Sequence, residues 1–493
     1  MVKPTFKYAL LPLAICISSG SVFAATNAEL ERRLEAQDKE IKKLERKLKG
    51  TRGAVKQNRN RISDLSDRFR INGFFTGGFA VNDGDDAELA IYGIDDNYST
   101  AAVSRLGLQM TFEVTKDMNM TGQLVARGVN DYEVEAEWAY LSWNVTSDFT
   151  ARIGRQRIPY YLLSEYLEVG YAYPWVRPPI ELYNIPISST DGIGLLYDFN
   201  FGDLSFSTQG YVGAGSGFAD QLEGEFTLNQ AWGVAQFVEW KDFTFRVGYN
   251  TSNLDVGNIV DGGVGDNLIS GVEASVSLIA SRGATMQVLL GGEVAPPLSP
   301  LPLENIDTQY TSAAMSYDNG SLMVIAEIAN LKVDDFIQPA GDGGYLTVAY
   351  RFGDWMPHFT YAKFYTDSDS DSEVDELLPG LSYAGRGAAE LVTAGADPDT
   401  VSGAQVTALA NGIPELYNQL VLLKQEQTSY TLGVTYNINP RVKAKLEATH
   451  YENMGTVTLF DGSKAGGNGR FSGDPGAIDG HTAIYSFSID AVF

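Results

Sequence analysis

The chain has 493 residues, with 62 Asp or Glu against 36 Lys or Arg, and its formal net charge is −26. An acidic chain repels a phosphate backbone, so these numbers argue against a nucleic-acid partner. The 51 Gly and 26 Tyr suit a β-rich fold. Beyond the amino-terminal segment, no stretch approaches the run of about 18 apolar residues that a membrane-spanning helix needs.

The first segment predicts a secretory signal peptide over residues 1–24. Lys3 and Lys7 precede an apolar run over residues 8–17, and small residues follow it at the expected cleavage site. Such a run is too short to cross a membrane as a helix. The single cysteine, Cys16, lies inside this segment, so we expect the mature chain to contain none. An exported chain without an apolar helix is either periplasmic or an outer-membrane barrel.

Residues 25–70 predict an α-helical coiled coil. Apolar residues recur at alternating spacings of three and four, which is the pattern of a coiled-coil seam. Because the segment precedes the first predicted strand, we expect it to lie in the periplasm. The polar residues in the seam favour one register over others at some cost in stability. The two core series are Leu34, Ile41, Leu48, Val55, Ile62 and Phe69, and Leu30, Gln37, Leu44, Thr51, Asn58 and Leu65.

Residues 71–493 alternate between strand patterns and turns. Clusters of Asn, Asp and Gly mark short turns, and longer polar connections separate them. Short turns on one side and long loops on the other are typical of an outer-membrane barrel. The turns predict about eighteen strands, with sixteen as the alternative. They fall near residues 116–119, 146–148, 200–203, 241–242, 281–283, 318–320, 352–355 and 437–441.

The closing strand supports the barrel most clearly, because its alternate residues are apolar up to the carboxy-terminal Phe493. The residues between them include Thr482, Ser486, Ser488 and Asp490. In a membrane barrel the apolar set faces lipid and the polar set faces the lumen. The fold class predicted is therefore an all-β, transmembrane antiparallel barrel. The outward set is Ala483, Tyr485, Phe487, Ile489, Ala491 and Phe493.

Two internal strands show the same inverted pattern. Over residues 106–114 the outward set is predicted to be Leu106, Leu108, Met110, Phe112 and Val114, with Arg105, Gln109, Thr111 and Glu113 inward. Over residues 272–278 we expect Glu273, Ser275 and Ser277 to face the lumen.

The third long loop, residues 158–190, holds more aromatic residues than a freely solvated loop needs. We expect it to fold into the lumen and to narrow the pore, since a long structured loop in a barrel is usually functional. An outer loop packed on its neighbours or on another subunit is the alternative. Its aromatic residues are Tyr160, Tyr161, Tyr166, Tyr171, Tyr173, Trp175 and Tyr183.

Arginines and acids near this loop form the predicted pore constriction. Arginine stays charged at any relevant pH and presents a rigid fork of donors. Facing acids would create a transverse field that orients solutes and selects ions. Strict alternation turns Arg152 inward and Arg155 outward, unless Gly154 marks a bulge. The set is Arg105, Arg127, Arg152, Arg155, Arg157, Glu165, Glu168 and Glu181.

Together, the signal peptide, the Gly154–Gln156 motif before the third loop and the terminal Phe493 resemble the Gram-negative trimeric porin superfamily. With its coiled coil, the chain is similar to the DcaP-like porins. The resemblance implies a homotrimer of water-filled channels for small hydrophilic solutes and ions. It also implies assembly by the barrel-assembly machinery, with Phe493 as the signal. The chain also resembles sucrose porins, so a sugar porin with an aromatic slide is the main alternative.

Several weaker patterns leave further alternatives. The acidic run at residues 367–376 could bind Ca²⁺, but it lacks the glycine and glutamate of an EF-hand loop. Residues 384–425 favour helix. The basic coiled coil could tether the barrel to peptidoglycan, and the acidic barrel could hold divalent ions that bridge to lipopolysaccharide. No cofactor is predicted.

Enzymatic activity is disfavoured because such chemistry normally needs a placed His, Ser or pair of acids. The chain has three histidines. Alternation puts His450 on the lipid side and His358 near the periplasmic rim.

Overall fold

The structure is a computed structural model with two units, Met1–Asp67 and Arg68–Phe493. In the first unit it describes residues 35, 38–40, 42–43, 47 and 49, all helical, with an ion pair of 3.7 Å between Lys42 and Asp38. The predicted signal peptide and the rest of the predicted coiled coil lie outside the described residues, so both stay predictions. In the second unit it describes all residues except 85–87, 186, 220–223, 258, 261–263, 335–339, 367, 396–400 and 473–479.

The second unit is a closed antiparallel barrel, in which the described residues form sixteen strands. Each strand pairs with its neighbours in the chain, and the last strand closes the barrel against the first. The strands are Phe69–Asn82 (β1), Arg105–Thr115 (β2), Met118–Arg127 (β3), Val134–Asn144 (β4), Phe149–Arg157 (β5), Ser189–Phe201 (β6), Leu204–Ala219 (β7), Gly224–Trp240 (β8), Phe243–Gly257 (β9), Ile306–Asp318 (β10), Leu322–Val333 (β11), Gly341–Tyr350 (β12), Trp355–Thr366 (β13), Glu426–Asn439 (β14), Val442–Glu452 (β15) and His481–Val492 (β18).

The connections separate into two kinds, as the sequence predicted. Seven short turns lie at one end of the barrel, where β1 begins and β18 ends, and eight longer loops lie at the other. A small hairpin, Thr456–Thr458 (β16) with Lys464–Gly466 (β17), belongs to the last long loop. Short 3-10 helices occupy Ala90–Tyr92, Gly128–Asn130, Ser164–Tyr166 and Gly170–Ala172.

The outer face of the barrel is apolar and carries aromatic side chains near both ends. This arrangement is typical of a barrel embedded in a bilayer, because aromatic rings prefer the two interfaces. Exposed aliphatic side chains lie between them, among them Ile193, Val247 and Leu446. The exposed aromatic residues are Trp143, Phe201, Trp240, Trp355 and Phe493 toward the short turns, and Phe79, Tyr365, Tyr430 and Tyr485 toward the long loops.

The predicted alternation of β2 and β18 is confirmed. Leu106 and Leu108 are exposed on the outer face of β2. In β18, Tyr485 and Ile489 are exposed, whereas Ser488 is fully buried inside the barrel. The side chains that face inward are therefore covered by something within the lumen, and the third long loop supplies that cover.

The predicted strand over residues 272–278 and the turn at 281–283 are wrong, because both lie in the helix Val264–Leu289 (α1). Removing this hairpin from the predicted eighteen strands leaves sixteen, the alternative count. The buried residues Leu268, Val272 and Ser275 follow helical rather than strand spacing. The helical spacing was hard to recognise in the sequence, because polar and apolar residues also alternate within this segment.

Two further helices, Ser368–Thr393 (α2) and Val401–Val421 (α3), confirm the helix predicted over residues 384–425. They pack on each other and on α1, and the three form a helical cap on the long-loop side. The cap is continuous with the apolar core of the barrel, because Met286, Leu381 and Leu420 belong to the same cluster as Tyr310. Among the described residues, no helix combines the length and apolar character that a membrane crossing needs.

Candidate functional site

The third long loop, between β5 and β6, folds inside the barrel and reaches from one end of the lumen to the other. On its return limb, at the long-loop end of β14, the loop residue Glu181 accepts a hydrogen bond from Gln427 at 2.8 Å. At its tip, the hydroxyl of Tyr171 donates to the carbonyl of Pro440 at 2.9 Å. Pro440 lies in the short turn between β14 and β15, so the loop crosses the lumen along most of its length.

Most of the loop's aromatic residues are buried against the wall. Tyr160 packs on Tyr310 of β10 with ring centroids 5.1 Å apart, and Trp175 packs edge-on against Tyr345 of β12 at 5.6 Å. The Trp175 indole also donates to Thr360 at 2.8 Å. Tyr161, Tyr173 and Tyr183 are buried as well, and Tyr166 is exposed. The buried rings stabilise the loop's position and are not presented to a passing solute as an aromatic slide would be.

Glu168 of the loop lies among three inward arginines of the wall. Its carboxylate is 2.8 Å from Arg127, 3.3 Å from Arg157 and 4.0 Å from Arg105. Arg105 and Arg127 are direct cross-strand partners on β2 and β3, so both side chains point to the same region of the lumen. The structure therefore brings together four residues of the predicted constriction.

A bulge in β4 adds acids to this cluster. Gln123 pairs with Trp138 and Leu124 pairs with Ala136, so Glu137 is the extra residue between them. Its buried carboxylate contacts Arg127 and lies 3.2 Å from Arg157. The Glu133–Glu135–Glu137 spacing was visible in the sequence, but was not recognised as an inward acidic row.

A cavity of about 750 Å³ opens beside the cluster, on the side of the lumen formed by β2 to β7. Charges of both signs face it. The charged residues that border the cavity are Arg105, Arg127, Arg155, Arg157, Arg177, Asp131, Glu133, Glu135, Glu137 and Glu168.

The three arginines control the ionisation of Glu168. Burial alone would raise the pKa of its carboxyl, but the charges of Arg127, Arg157 and Arg105 outweigh that effect and hold the pKa below its usual range. Glu168 therefore remains a carboxylate at neutral and mildly acidic pH, and its ion pairs persist with it.

The other predicted constriction residues lie elsewhere. Arg152 faces inward and contacts Glu165 at 3.4 Å. Arg155 lies on the outward side of β5, where it pairs with Asp191 of β6 at 2.7 Å. Gly154 has φ +123°, yet the pairing on both sides of β5 continues without a bulge. Arg155 thus borders the cavity but forms its ion pair with Asp191 and not with Glu168.

Glu181 is also separate from that cluster. It is buried against β14, where its carboxylate accepts a hydrogen bond from Gln427 at 2.8 Å. Burial raises the pKa of this carboxyl. Sequence position alone placed Glu181 opposite the arginines, but the return limb of the loop carries it to another part of the wall.

Charged wall residues that hold the loop were missed in the sequence. Lys445 of β15 donates to the carbonyls of Gly170 and Trp175 at 2.6 and 2.7 Å, and pairs with Asp490 of β18 at 2.9 Å. On the same strand, Glu447 accepts the backbone N–H of Val176 at 3.1 Å. Lys443, Lys445 and Glu447 alternate along β15, and this charged inward row was the available signal.

His450 and His481 lie together, with ring centroids 6.1 Å apart, whereas His358 lies apart from them. His358 is buried inside the barrel near the short turns, with its Nε2 atom 3.9 Å from Glu447. His450 lies on the outward face beside Glu452. No group of three metal-ligating side chains occurs among the residues that the structure describes. The side chains at residues 367–373, within the acidic run, lie outside the described part.

Comparison with known proteins finds distant likenesses among solved structures. No family model matches the chain, and no curated protein matches it. Similar solved structures include OmpF of Salmonella typhi in complex with daunomycin, which is 11% identical with a TM-score of 0.45, covering 86% of this chain and 97% of that chain. The outer-membrane channel DcaP of Acinetobacter baumannii is 9% identical with a TM-score of 0.44 over the same shares.

OprB of Pseudomonas putida is 10% identical with a TM-score of 0.43, covering 87% of this chain and 96% of that chain. An outer-membrane channel is thus among the solved structures that align with the chain. Identities and TM-scores this low assign neither a family nor an activity.

Replacing Lys445 with methionine tests how the loop is held. The change leaves Asp490 buried without its cation and frees two loop carbonyls, so we expect a loss of about 3–5 kcal/mol in stability. The loop should become accessible to chymotrypsin at Tyr171 and Trp175 in the folded, detergent-solubilised protein. In Lys445→Met/Asp490→Asn the stability loss should shrink because the uncompensated charge is gone. Equal losses in the single and double variants would contradict the role of the ion pair.

Proposed function

We propose that the chain forms a water-filled channel in the Gram-negative outer membrane, through which small hydrophilic solutes and ions diffuse passively. The observation that carries the proposal is the charged cavity of about 750 Å³ inside a barrel with an apolar outer face. Lipid solvates the outside of such a barrel, while the polar lumen suits water and ions. Passive diffusion needs no catalytic group, and the proposal includes none.

The residues around Glu168 would form the constriction that a solute passes. Arginine and carboxylate side chains on opposite sides of a narrow passage orient dipolar solutes and discriminate between ions of opposite charge. Arg127 is central because it contacts Glu135, Glu137 and Glu168 at once. The selectivity of the channel then depends on the balance between this arginine and the acids around it.

The rest of the proposal follows the resemblance seen in the sequence. Residues 1–24 would be removed on export, and the coiled coil of residues 25–70 would lie in the periplasm. The barrel would be inserted by the barrel-assembly machinery through Phe493 and would form a homotrimer beside lipopolysaccharide. Native mass spectrometry of the purified protein measures the number of chains directly.

A tether to peptidoglycan through the coiled coil is a second, compatible role, supported by the basic charge of that segment. A sugar porin with an aromatic slide receives less support, because Tyr160, Tyr173 and Trp175 are buried against the barrel wall or loop.

Arg127→Ala should shift the reversal potential in a KCl gradient across a planar bilayer toward cation selectivity. The variant removes one positive charge from the cavity and leaves three nearby carboxylates less compensated. Glu137→Gln should shift the potential in the opposite direction. If purified wild-type protein gave no conductance steps at all, the proposed channel function would be contradicted.

The control for these variants is Arg386→Ala on the helical cap. Arg386 forms a bidentate pair with Glu293, at 2.8 and 2.7 Å, and does not border the cavity. The Arg386→Ala variant removes the same charge from the chain as Arg127→Ala does. An unchanged reversal potential in Arg386→Ala would therefore show that the effect of Arg127→Ala is local. Equal shifts in both variants would contradict the proposed constriction.

The pH dependence of Glu168 gives an independent test. A carboxyl with a depressed folded pKa keeps its ion pairs above its unfolded pKa and loses them only as the pH falls through the folded value. The wild type and Glu168→Gln should therefore differ in reversal potential at pH 7 and still differ at pH of about 4.3, the ordinary pKa of glutamate. Convergence of the two proteins between pH 6 and 5 would show that the arginines do not stabilise the carboxylate.

A further inference from the structure

A second cavity lies inside the barrel, in its long-loop half, away from the Glu168 cluster. Its volume is about 110 Å³. Strands β8 to β12 and the return limb of the third loop enclose it, with Leu228, Leu254 and Val333 among its apolar residues. For comparison, a dry protein cavity of about 150 Å³ holds benzene. This cavity is somewhat smaller, so it suits an apolar body no larger than one small ring.

Two buried polar side chains border this apolar space and lack hydrogen-bond partners for some of their polar atoms. Asn250 of β9 is 2% exposed, and within the described structure neither its amide nitrogen nor its amide oxygen has a hydrogen-bond partner. Tyr310 of β10 is 4% exposed, and no described residue bonds its hydroxyl. A buried polar group left unpaired costs about 1–3 kcal/mol, so three such atoms at one place need an explanation.

The two side chains are positioned together by the sheet. Asn250 and Tyr310 are direct cross-strand partners, and both face the lumen. Gly233 of β8 leaves room for the amide, because a Cβ there would lie 2.3 Å from the Asn250 oxygen. The Tyr310 ring is fixed by edge-on packing against Tyr160 at 5.1 Å and Tyr161 at 5.8 Å. Both side chains therefore border the same cavity from adjacent strands.

Charged residues border the cavity at another side, and their signs balance. Glu181 accepts a hydrogen bond from Gln427, and the guanidinium of Arg470 lies 3.5 Å from the centre of the Phe364 ring. An ion entering an apolar cavity of this kind would lose its hydration, whereas an uncharged polar group loses much less. The lining thus favours a neutral ligand.

We propose that this cavity binds an uncharged, ring-sized molecule that carries a hydroxyl group. The ring would occupy the apolar space beside Leu228 and Leu254. The hydroxyl would donate to the Asn250 amide oxygen and accept from the Tyr310 hydroxyl, which gives a partner to two of the three unpaired atoms. Binding here does not require the channel to conduct, so the inference stands apart from the proposed function.

The test uses 4-fluorophenol, with fluorobenzene as the apolar comparison, observed by fluorine NMR on the full-length, detergent-solubilised protein. Asn250→Leu and Tyr310→Phe should each weaken 4-fluorophenol binding by about 3- to 10-fold, the effect of one lost hydrogen bond. Neither change should weaken the binding of fluorobenzene. Ala329→Leu, which places a larger side chain in the same cavity, should abolish the binding of both compounds.

The control variant is Thr431→Val on β14. Thr431 is a buried inward polar residue that bonds Thr449 at 3.0 Å and does not border this cavity. Binding by this variant should equal that of the wild type. The Ala329→Leu variant, which should bind neither probe, corrects for partition of the probes into detergent. No specific binding by wild-type protein, or equal binding of 4-fluorophenol by Asn250→Leu, Tyr310→Phe and wild type, would overturn the proposal. So would a crystal structure of the soaked protein with only water at Asn250.

Discussion

A peptide segment enclosed in a barrel must find partners for its backbone polar groups and charges, because it has lost most of its contact with water. The wall of this barrel supplies them strand by strand. Arg246 and Ser312 bond the carbonyls at the start of the third loop, Lys445 bonds two carbonyls at its tip, and Glu447 accepts a loop N–H. These contacts fix the position of the third loop, and with it the position of Glu168 and of the charged cavity beside it.

The same constraint divides the lumen into two sides. Strands β10 to β15, with β18, pack against the loop, so their inward residues are buried and structural. Strands β2 to β5 face the loop across the charged cavity, and their arginines meet Glu168 there. One loop therefore has two functions: its aromatic face anchors it, and its buried Glu168 completes the cluster. A change in the anchor should move Glu168, even though the anchoring residues do not touch a solute.

Much of the fold could be predicted from the sequence, because side chains along a barrel strand alternate strictly between the inner and outer faces. The alternation in β18 fixed its lipid face, and the turn residues located all seven short turns. The sequence misled where polar and apolar residues alternate inside a helix, as in α1, since a short stretch of such residues fits both periods. Within the site, Arg105 and Arg127 were predicted by alternation, whereas Glu181 was misplaced because a loop has no period. Lys445 and Glu447 were overlooked, although their inward spacing was regular.

The most direct measurement of the central claim is a cross-link between the loop tip and the wall. A Cβ at Gly170 would lie 2.7 Å from the Thr76 hydroxyl oxygen of β1, so cysteines at these two positions are within reach of a disulfide. If the loop crosses the lumen, Gly170→Cys/Thr76→Cys should form an intramolecular disulfide on mild oxidation of the folded protein. The pair Gly170→Cys/Thr347→Cys, with the second cysteine on β12, should not. Two free, alkylatable thiols in the oxidised Gly170→Cys/Thr76→Cys protein would contradict the enclosed loop.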